Sequence, residues 1–357
     1  MKILFICPKL TEGGAERVCA NIANGLSDMG HEIMILTDLQ RPVTYKVSAK
    51  VQLIGKEPSK GYDYFNQFVK LRRLLKEKKP DIIISILYDL ATIAKLASKF
   101  SINCPVIVSD HNAMDRPKGV KMYWKQYLDK FYRNYYFDYL TVLTQADKDI
   151  IQHRFKNIRV MYNPLELSPV TMPIEKEKIV LAVGRMDYWY YKGFDNLIMA
   201  WKQLGDGYSD WCLKIVGSGS EKSIKYLKSI IGYQDNIQLL PYTENIIVEY
   251  QKADVFILSS RYEGWGLVLL EAMSQGCACV ACDYKGRQSE IIEDNVNGIL
   301  CPVDNVMMLT EKIKILLDNT TLRDSLRSQA VLSLDRFRID NISKSWESLI
   351  QDVLKNK

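Results

Sequence analysis

Ten short apolar runs, separated by amphipathic segments of helical length, constrain this chain more than any other feature. Five fall in the first half, at residues 2–7, 32–36, 81–86, 106–108 and 139–143. Five more follow, at 179–183, 212–216, 237–240, 255–258 and 278–282. They read as strands buried on both faces. Such strands, spaced by helices, build a parallel, doubly wound α/β sheet. The plan occurs twice, so two Rossmann-like domains are predicted, in keeping with a chain of 357 residues. The stretch 163–173, flanked by Asn163-Pro164, Ser168-Pro169 and Met172-Pro173, reads as the linker. It separates a first domain, 1–165, from a second, 174–340, and leaves 341–357 as a terminal helix. Ligands of doubly wound sheets bind outside the carboxyl ends of the strands. Two such domains facing each other across a cleft would present their strand-to-helix loops to it.

The bulk numbers exclude several classes. A hydrophobic content of 47% and a charged content of 25% are those of a globular protein, not of a disordered chain. No run is long enough to span a membrane, and the apolar run at 2–7 is too short for a signal peptide. The eight cysteines are scattered, and Cys277-Ala278-Cys279-Val280-Ala281-Cys282 reads as a buried strand of reduced thiols. With three histidines in the whole chain, no metal site is expected. These readings predict a cytoplasmic protein. The net charge of +6 is uneven: residues 1–170 carry 26 Lys and Arg against 17 Asp and Glu, and the remainder has a net charge of −3. The first half is therefore the candidate for an anionic partner. No nucleic-acid motif surrounds its basic residues, so nucleic acid is not expected.

Five loops after the predicted strands carry chemistry. Thr11-Glu12-Gly13-Gly14 opens a helix, and a Gly pair there suits the close approach of a diphosphate. It lacks the GxGxxG spacing of dinucleotide folds. Ser109-Asp110-His111-Asn112 puts a histidine at a sheet end. Gly184-Arg185, followed by Lys192-Gly193, offers a guanidinium fork and a point charge for phosphate oxygens. Gly217 to Ser220 is a further tight turn. The most specific piece is Glu263-Gly264-Trp265-Gly266-Leu267 with Glu271. The helix is expected to start after Gly266, aiming free N–H groups and its positive dipole end at an anion. Eight residues of helix make a little over two turns, which would put Glu263 at the mouth and Glu271 further in, near the same face. One carboxylate can accept from sugar hydroxyls and the other from a ribose, a layout for a sugar nucleotide. Asp147-Lys148-Asp149 matches the Asp-x-Asp pattern of metal-dependent sugar transferases. However, Thr144-Gln145-Ala146-Asp147 is a capping box, which assigns the acid to a helix start.

Gly184-Arg185, Lys192-Gly193 and the E-x7-E segment, followed by Gly276 and by Gly286 with Glu290-Ile291, stand in the order of a known family. Over nearly its whole length the chain resembles the retaining glycosyltransferases of family four, which have the GT-B fold. In outline it is most similar to bacterial enzymes that build capsular or O-antigen polysaccharide. The resemblance implies an acceptor-side first domain, a second domain that binds the nucleotide sugar, and a last helix that crosses back onto the first. It implies that Gly14 lies against the donor diphosphate and that Arg185 and Lys192 bind its oxygens. Glu263 would hold sugar hydroxyls, Glu271 the ribose and His111 the donor sugar, with the base near Pro241 and Tyr242. Retention would follow a front-face displacement needing neither metal nor cofactor. Trp265 stands where Phe is common in the family, and Lys285-Gly286-Arg287 where Gly-Gly or Gly-Pro is.

On the acceptor side, Tyr123, Tyr127, Phe131, Tyr135 and Tyr139 recur at i+4, beside Trp124, Leu128, Tyr132, Tyr136 and Leu140, with a basic row of Lys121, Lys125 and Arg133. The stripe is expected either to pack into the first domain or to lie on anionic membrane near a polyprenyl-linked sugar. Three functions follow. The first is sugar transfer to a glycan or lipid-linked acceptor from a nucleotide sugar, with UDP the first base to consider. The others are an epimerase or hydrolase of the same fold and a catalytically silent subunit of a synthase.

Overall fold

A computed structural model of the chain describes all residues except 12, 57–62, 89, 117–121, 123, 133–135, 173 and 357, and the side chain of Lys125. The chain forms two compact units. One comprises Met1–Glu166 and Phe337–Lys357, the other Leu167–Arg336.

The first unit holds seven strands: β1 (Lys2–Ile6), β2 (Glu32–Thr37), β3 (Gln52–Gly55), β4 (Ile82–Ile86), β5 (Val106–Ser109), β6 (Tyr139–Val142) and β7 (Ile158–Val160). They pair in the order β3-β2-β1-β4-β5-β6-β7, every pair parallel. The second unit has β8 (Glu177–Val183), β9 (Cys212–Val216), β10 (Ile237–Leu240), β11 (Ala253–Leu258), β12 (Ala278–Asp283) and β13 (Ile299–Pro302). Their order is β10-β9-β8-β11-β12-β13, again all parallel. The strand order reverses between β1 and β4 in one sheet and between β8 and β11 in the other. These are the topological switch points at which doubly wound sheets bind ligands.

Each sheet is covered by helices whose apolar faces make its core. In the first unit, Leu4, Ile6, Ile83, Val106 and Val108 pack with Leu71, Leu75, Ala94 and Ala97 of the flanking helices. In the second, Val180, Ile215, Val255 and Val280 pack with Leu197, Trp201, Leu227 and Ile313. Cys277, Cys279 and Cys282 are free, buried thiols at and within β12. The last helix, Ile339–Lys355, lies along the first-unit helix Gly14–Asp28. Gly25 permits this contact, because a Cβ there would fall 2.1 Å from the Ser343 hydroxyl. The Thr144 cap forms as its sequence dictates: Thr144 Oγ1 accepts from the Asp147 amide, and the Asp147 carboxylate also receives the Met114 amide at 2.7 Å.

The aromatic stripe does not continue as one helix. The helix runs over Trp124–Phe131, while Tyr139 and Leu140 open β6. Tyr123, Tyr135, Lys121 and Arg133 and the side chain of Lys125 lie outside the described residues, as do Glu12 and Pro173. Among the described ones, Trp124, Tyr127, Tyr132 and Tyr136 are exposed, and the buried face carries Asp129 and Lys130. The reason is electrostatic. Lys130 pairs with buried Asp110 at 2.8 Å and donates to the Asn112 and Ala113 carbonyls at 3.0 Å, so the charge fixes which side turns inward.

Candidate active site

In each unit the candidate residues follow the carboxyl ends of its own strands. In the first unit, Gly13 precedes the helix after β1. Its N–H donates to the Tyr45 hydroxyl at 2.7 Å, and that hydroxyl donates back to the Gly13 carbonyl at 2.8 Å. The Glu16 carboxylate covers the glycine, where a Cβ would meet Oε2 at 2.1 Å. Gly14 is the first residue of the helix. His111 follows β5 and sits in a polar chain. Asn163 Oδ1, an acceptor, lies 3.2 Å from Nδ1, and Ser109 Oγ lies 3.0 Å from Nε2. Thr141 donates to Ser109 Oγ at 2.8 Å. The network assigns the proton to Nδ1 and leaves Nε2 as the acceptor of the Ser109 hydroxyl. Burial lowers the His111 pKa to about 4, against the opposing pull of the Asp110 charge and the Asn163 bond. The imidazole is therefore neutral at ordinary pH.

In the second unit, tight backbone packing builds the site. The Gly184 N–H donates to the Val216 carbonyl and the Gly217 N–H to the Leu240 carbonyl, both at 3.0 Å. A Cβ on Gly217 would lie 1.9 Å from the Gly184 oxygen, so only glycine permits the approach of the β8 and β9 exits. Arg185 leaves β8 with its guanidinium over the Tyr188 ring, 4.5 Å from the centroid. Asp187 accepts from the Ser220 hydroxyl, the Ser220 amide and the Ser223 hydroxyl, which together hold its pKa below the usual carboxylate range.

Lys192 Nζ lies 2.7 Å from Glu263 Oε2, with both side chains mostly buried. Their backbones are joined beneath. Ser259 Oγ donates to the Lys192 carbonyl at 2.8 Å, and the Arg261 amide donates to the Tyr191 carbonyl at 2.9 Å. Gly193 takes a positive φ, and a Cβ there would fall 2.0 Å from the Ser259 oxygen. The helix after Gly266 spans Leu267–Ser274 and has no side-chain cap. Glu263 therefore precedes the helix and lies in the loop, so it and Glu271 do not share a helical face. The positive φ of Gly266 turns the loop away before the first helical residue. Glu271 is buried within the helix and accepts from the fully buried Tyr250 hydroxyl at 2.9 Å. Gly264 and the buried Trp265 lie between Glu263 and Gly266, and Leu267 opens the helix. Pro241 and the exposed Tyr242 follow β10.

Several supporting residues escape a sequence reading. Asn163 orients His111, Tyr250 supports Glu271, and Lys130 neutralises Asp110. Arg261 donates to Asp195, Asn196, Asp304 and the Tyr190 carbonyl. Each of these partners is distant in sequence from the group it supports, apart from the local place of Arg261 two residues before Glu263.

Two units, each a doubly wound parallel sheet with one switch point, are the architecture of the GT-B fold. Comparison with known proteins agrees. The model for Glycosyltransferase Family 4 matches residues 12–168, and that for Glycosyl transferases group 1 matches 166–331. An uncharacterized glycosyltransferase of Haemophilus influenzae is 30% identical, covering 97% of this chain and 98% of its own. A Campylobacter jejuni protein is likewise 30% identical over 99% of both chains; it is named GalNAc-alpha-(1->4)-GalNAc-alpha-(1->3)-diNAcBac-PP-undecaprenol alpha-1,4-N-acetyl-D-galactosaminyltransferase. The crystal structure of Anabaena HepE in complex with UDP and glucose shares the fold at a TM-score of 0.78 and 20% identity, over 99% of this chain and 100% of that one. A third relative, the amylovoran biosynthesis glycosyltransferase AmsD of Erwinia amylovora, is 26% identical over 98% of this chain and 99% of its own. The chain belongs to the family-four glycosyltransferases.

Proposed function

We propose that this glycosyltransferase is a retaining enzyme that moves a hexose or N-acetylhexosamine from a nucleoside-diphosphate sugar to a glycan or polyprenyl-linked acceptor of a surface polysaccharide. A UDP-sugar is the first donor to test. The observation that carries the reading is the Lys192–Glu263 pair at the β8/β11 switch point, with Arg185 on the same strand exit as Lys192. On donor binding, Lys192 and Arg185 take the diphosphate oxygens, and Glu263 accepts from sugar hydroxyls. Glu271 accepts from the ribose, and the base lies by Pro241 and Tyr242. Neutral His111 exchanges its Ser109 bond at Nε2 for one accepted from a sugar hydroxyl. In the transfer, the bond from the anomeric carbon to the diphosphate oxygen breaks. The acceptor oxygen bonds to the same face, and the departing diphosphate takes the acceptor proton. Two fixed cations stabilise the charge that develops on the leaving group, so no metal is required. HepE, bound to UDP and glucose, and the Campylobacter transferase, named for an undecaprenol-diphosphate acceptor, support this choice of substrates.

A thermal-shift panel of UDP, GDP, ADP and their sugars, with chelator present, tests the donor site, because a ligand of the folded state raises the midpoint with its affinity. Stabilisation by one base identifies the donor class; no shift with any nucleotide overturns the reading. The anomeric configuration of the product decides retention. Absence of turnover despite nucleotide binding would favour a catalytically silent subunit.

Among the described residues, no helix is long and apolar enough to cross a membrane. The exposed aromatics Trp124, Tyr127, Tyr132 and Tyr136, in the basic half of the chain, support peripheral contact with anionic lipid at the inner face of the cytoplasmic membrane. Failure to sediment with anionic vesicles at low salt removes that contact.

A further inference from the structure

We propose that Arg261 is the positioning residue of the donor site, holding Lys192 and Glu263 in register once their mutual ion pair gives way to substrate. The inference rests on the reading of those two residues given above.

A guanidinium has five N–H donors in a rigid plane, and burying it is costly unless all are used. Arg261 is buried, and every one is used. Nε donates to Asp304 Oδ1. Nη1 donates to Asp195 Oδ1 at 2.6 Å and to the Tyr190 carbonyl at 2.8 Å. Nη2 donates to Asp195 Oδ2 at 2.9 Å and to Asn196 Oδ1 at 2.7 Å. The Tyr190 ring stacks on the plane, 4.5 Å from ring centroid to guanidinium carbon. Lysine, a compact point charge, cannot reproduce this set.

The partners are informative because of where they lie. Tyr190 is two residues before Lys192, while Asp195 and Asn196 follow it on the helix Phe194–Leu204. Arg261 itself is two residues before Glu263. One side chain thus joins the segment that presents the cation to the loop that presents the carboxylate. The Lys192–Glu263 bond, at 2.7 Å, also joins them. A donor that takes Lys192 to its diphosphate and Glu263 to its sugar removes that bond. From then on, among the side-chain contacts described, the Arg261 set and Ser259 Oγ hold the two segments together. Arg261 therefore contributes more to the bound state than to the free one.

The test is calorimetric binding of UDP, GDP and ADP to the full chain, with Arg261→Lys, Lys192→Ala and the double variant. Arg261→Lys is expected to weaken the affinity of the nucleotide that wild type binds by about tenfold, since small misplacement of a binding group is expensive. On the Lys192→Ala background the same change is expected to matter less than about twofold, because the two residues act as one unit. A residue that merely stabilises the fold would give the same factor on both backgrounds. Equal factors, or a wild-type affinity in folded Arg261→Lys, overturn the proposal. Should Arg261→Lys fail to fold, Asp195→Asn, which removes part of the fork's partner, takes its place with the same expected pattern. Lys192→Ala with unchanged affinity would instead sink the reading of the site itself, and this inference with it.

Discussion

Lys192→Ala separates catalysis from stability at this site. At 2.7 Å and an effective dielectric near 20, the gross attraction between Lys192 and Glu263 is about 6 kcal/mol. Desolvation and side-chain ordering offset most of it. Exposed pairs net about 0–1 kcal/mol, and a charge stranded by loss of a fully buried partner costs about 3–5 kcal/mol. With the side chains 23% and 18% exposed, this pair falls between those limits, so the variant is expected to lose about 1–2 kcal/mol. For a unit of this size that lowers the melting midpoint by about 2–8 °C and leaves the chain folded at 25 °C. Turnover suffers far more. Removing one fixed group that stabilises developing charge costs about 2.7–4 kcal/mol, or a factor of about 100–1000 in kcat. The assay is release of nucleoside diphosphate with saturating donor, run beside a thermal melt. A folded variant that retains activity within about threefold of wild type would refute the assignment of Lys192 to the leaving group.

Three further outcomes are expected. Glu271→Ala should weaken nucleotide affinity, and Tyr250→Phe should do so less, because it removes one bond to the carboxylate; isothermal calorimetry showing no change in either variant removes Glu271 from the ribose. His111 is neutral in the folded chain down to about pH 4, whereas an unfolded histidine protonates near pH 6.5. The unfolded state therefore binds more protons between those values, and stability should fall as pH drops from about 6.5 to about 4; denaturant titrations of His111→Asn should show a smaller loss over that window. Gly217→Ala must push a Cβ against the Gly184 carbonyl, and overpacking of this kind costs about 1–3 kcal/mol; a midpoint unchanged from wild type in a thermal melt contradicts the steric reading.

The strands show which parts of the fold the sequence carried. The ten apolar runs all became strands: nine lie inside their sheets, where parallel strands are buried on both faces and rich in Ile, Val and Leu, and the tenth, β10, is an edge strand that keeps Ile237, Leu239 and Leu240. The three strands absent from that reading, β3, β7 and β13, all lie at sheet edges. An edge strand has one neighbour and partial solvent, so Gln52, Gly55 and Pro302 are tolerated there and the apolar run is shorter or interrupted. The aromatic stripe left its direction open for a related reason. An i+4 repeat specifies that residues share a face, but not which face turns inward. The Lys130–Asp110 pair decided that, between segments separated in sequence.

The same division holds at the site. Glycines before helices, the two cations after β8 and the two glutamates after β11 were legible as positions, because each falls close after a strand whose apolar run the sequence marks. Their geometry was not. That Glu263 meets Lys192, that Tyr250 supports Glu271 and that Arg261 joins two segments all depend on neighbours brought together by the β8/β11 pairing. Local sequence determines which groups a loop can offer, through backbone sterics and side-chain chemistry acting over a few residues. Their partners are set by strand order, which only the packed sheet decides.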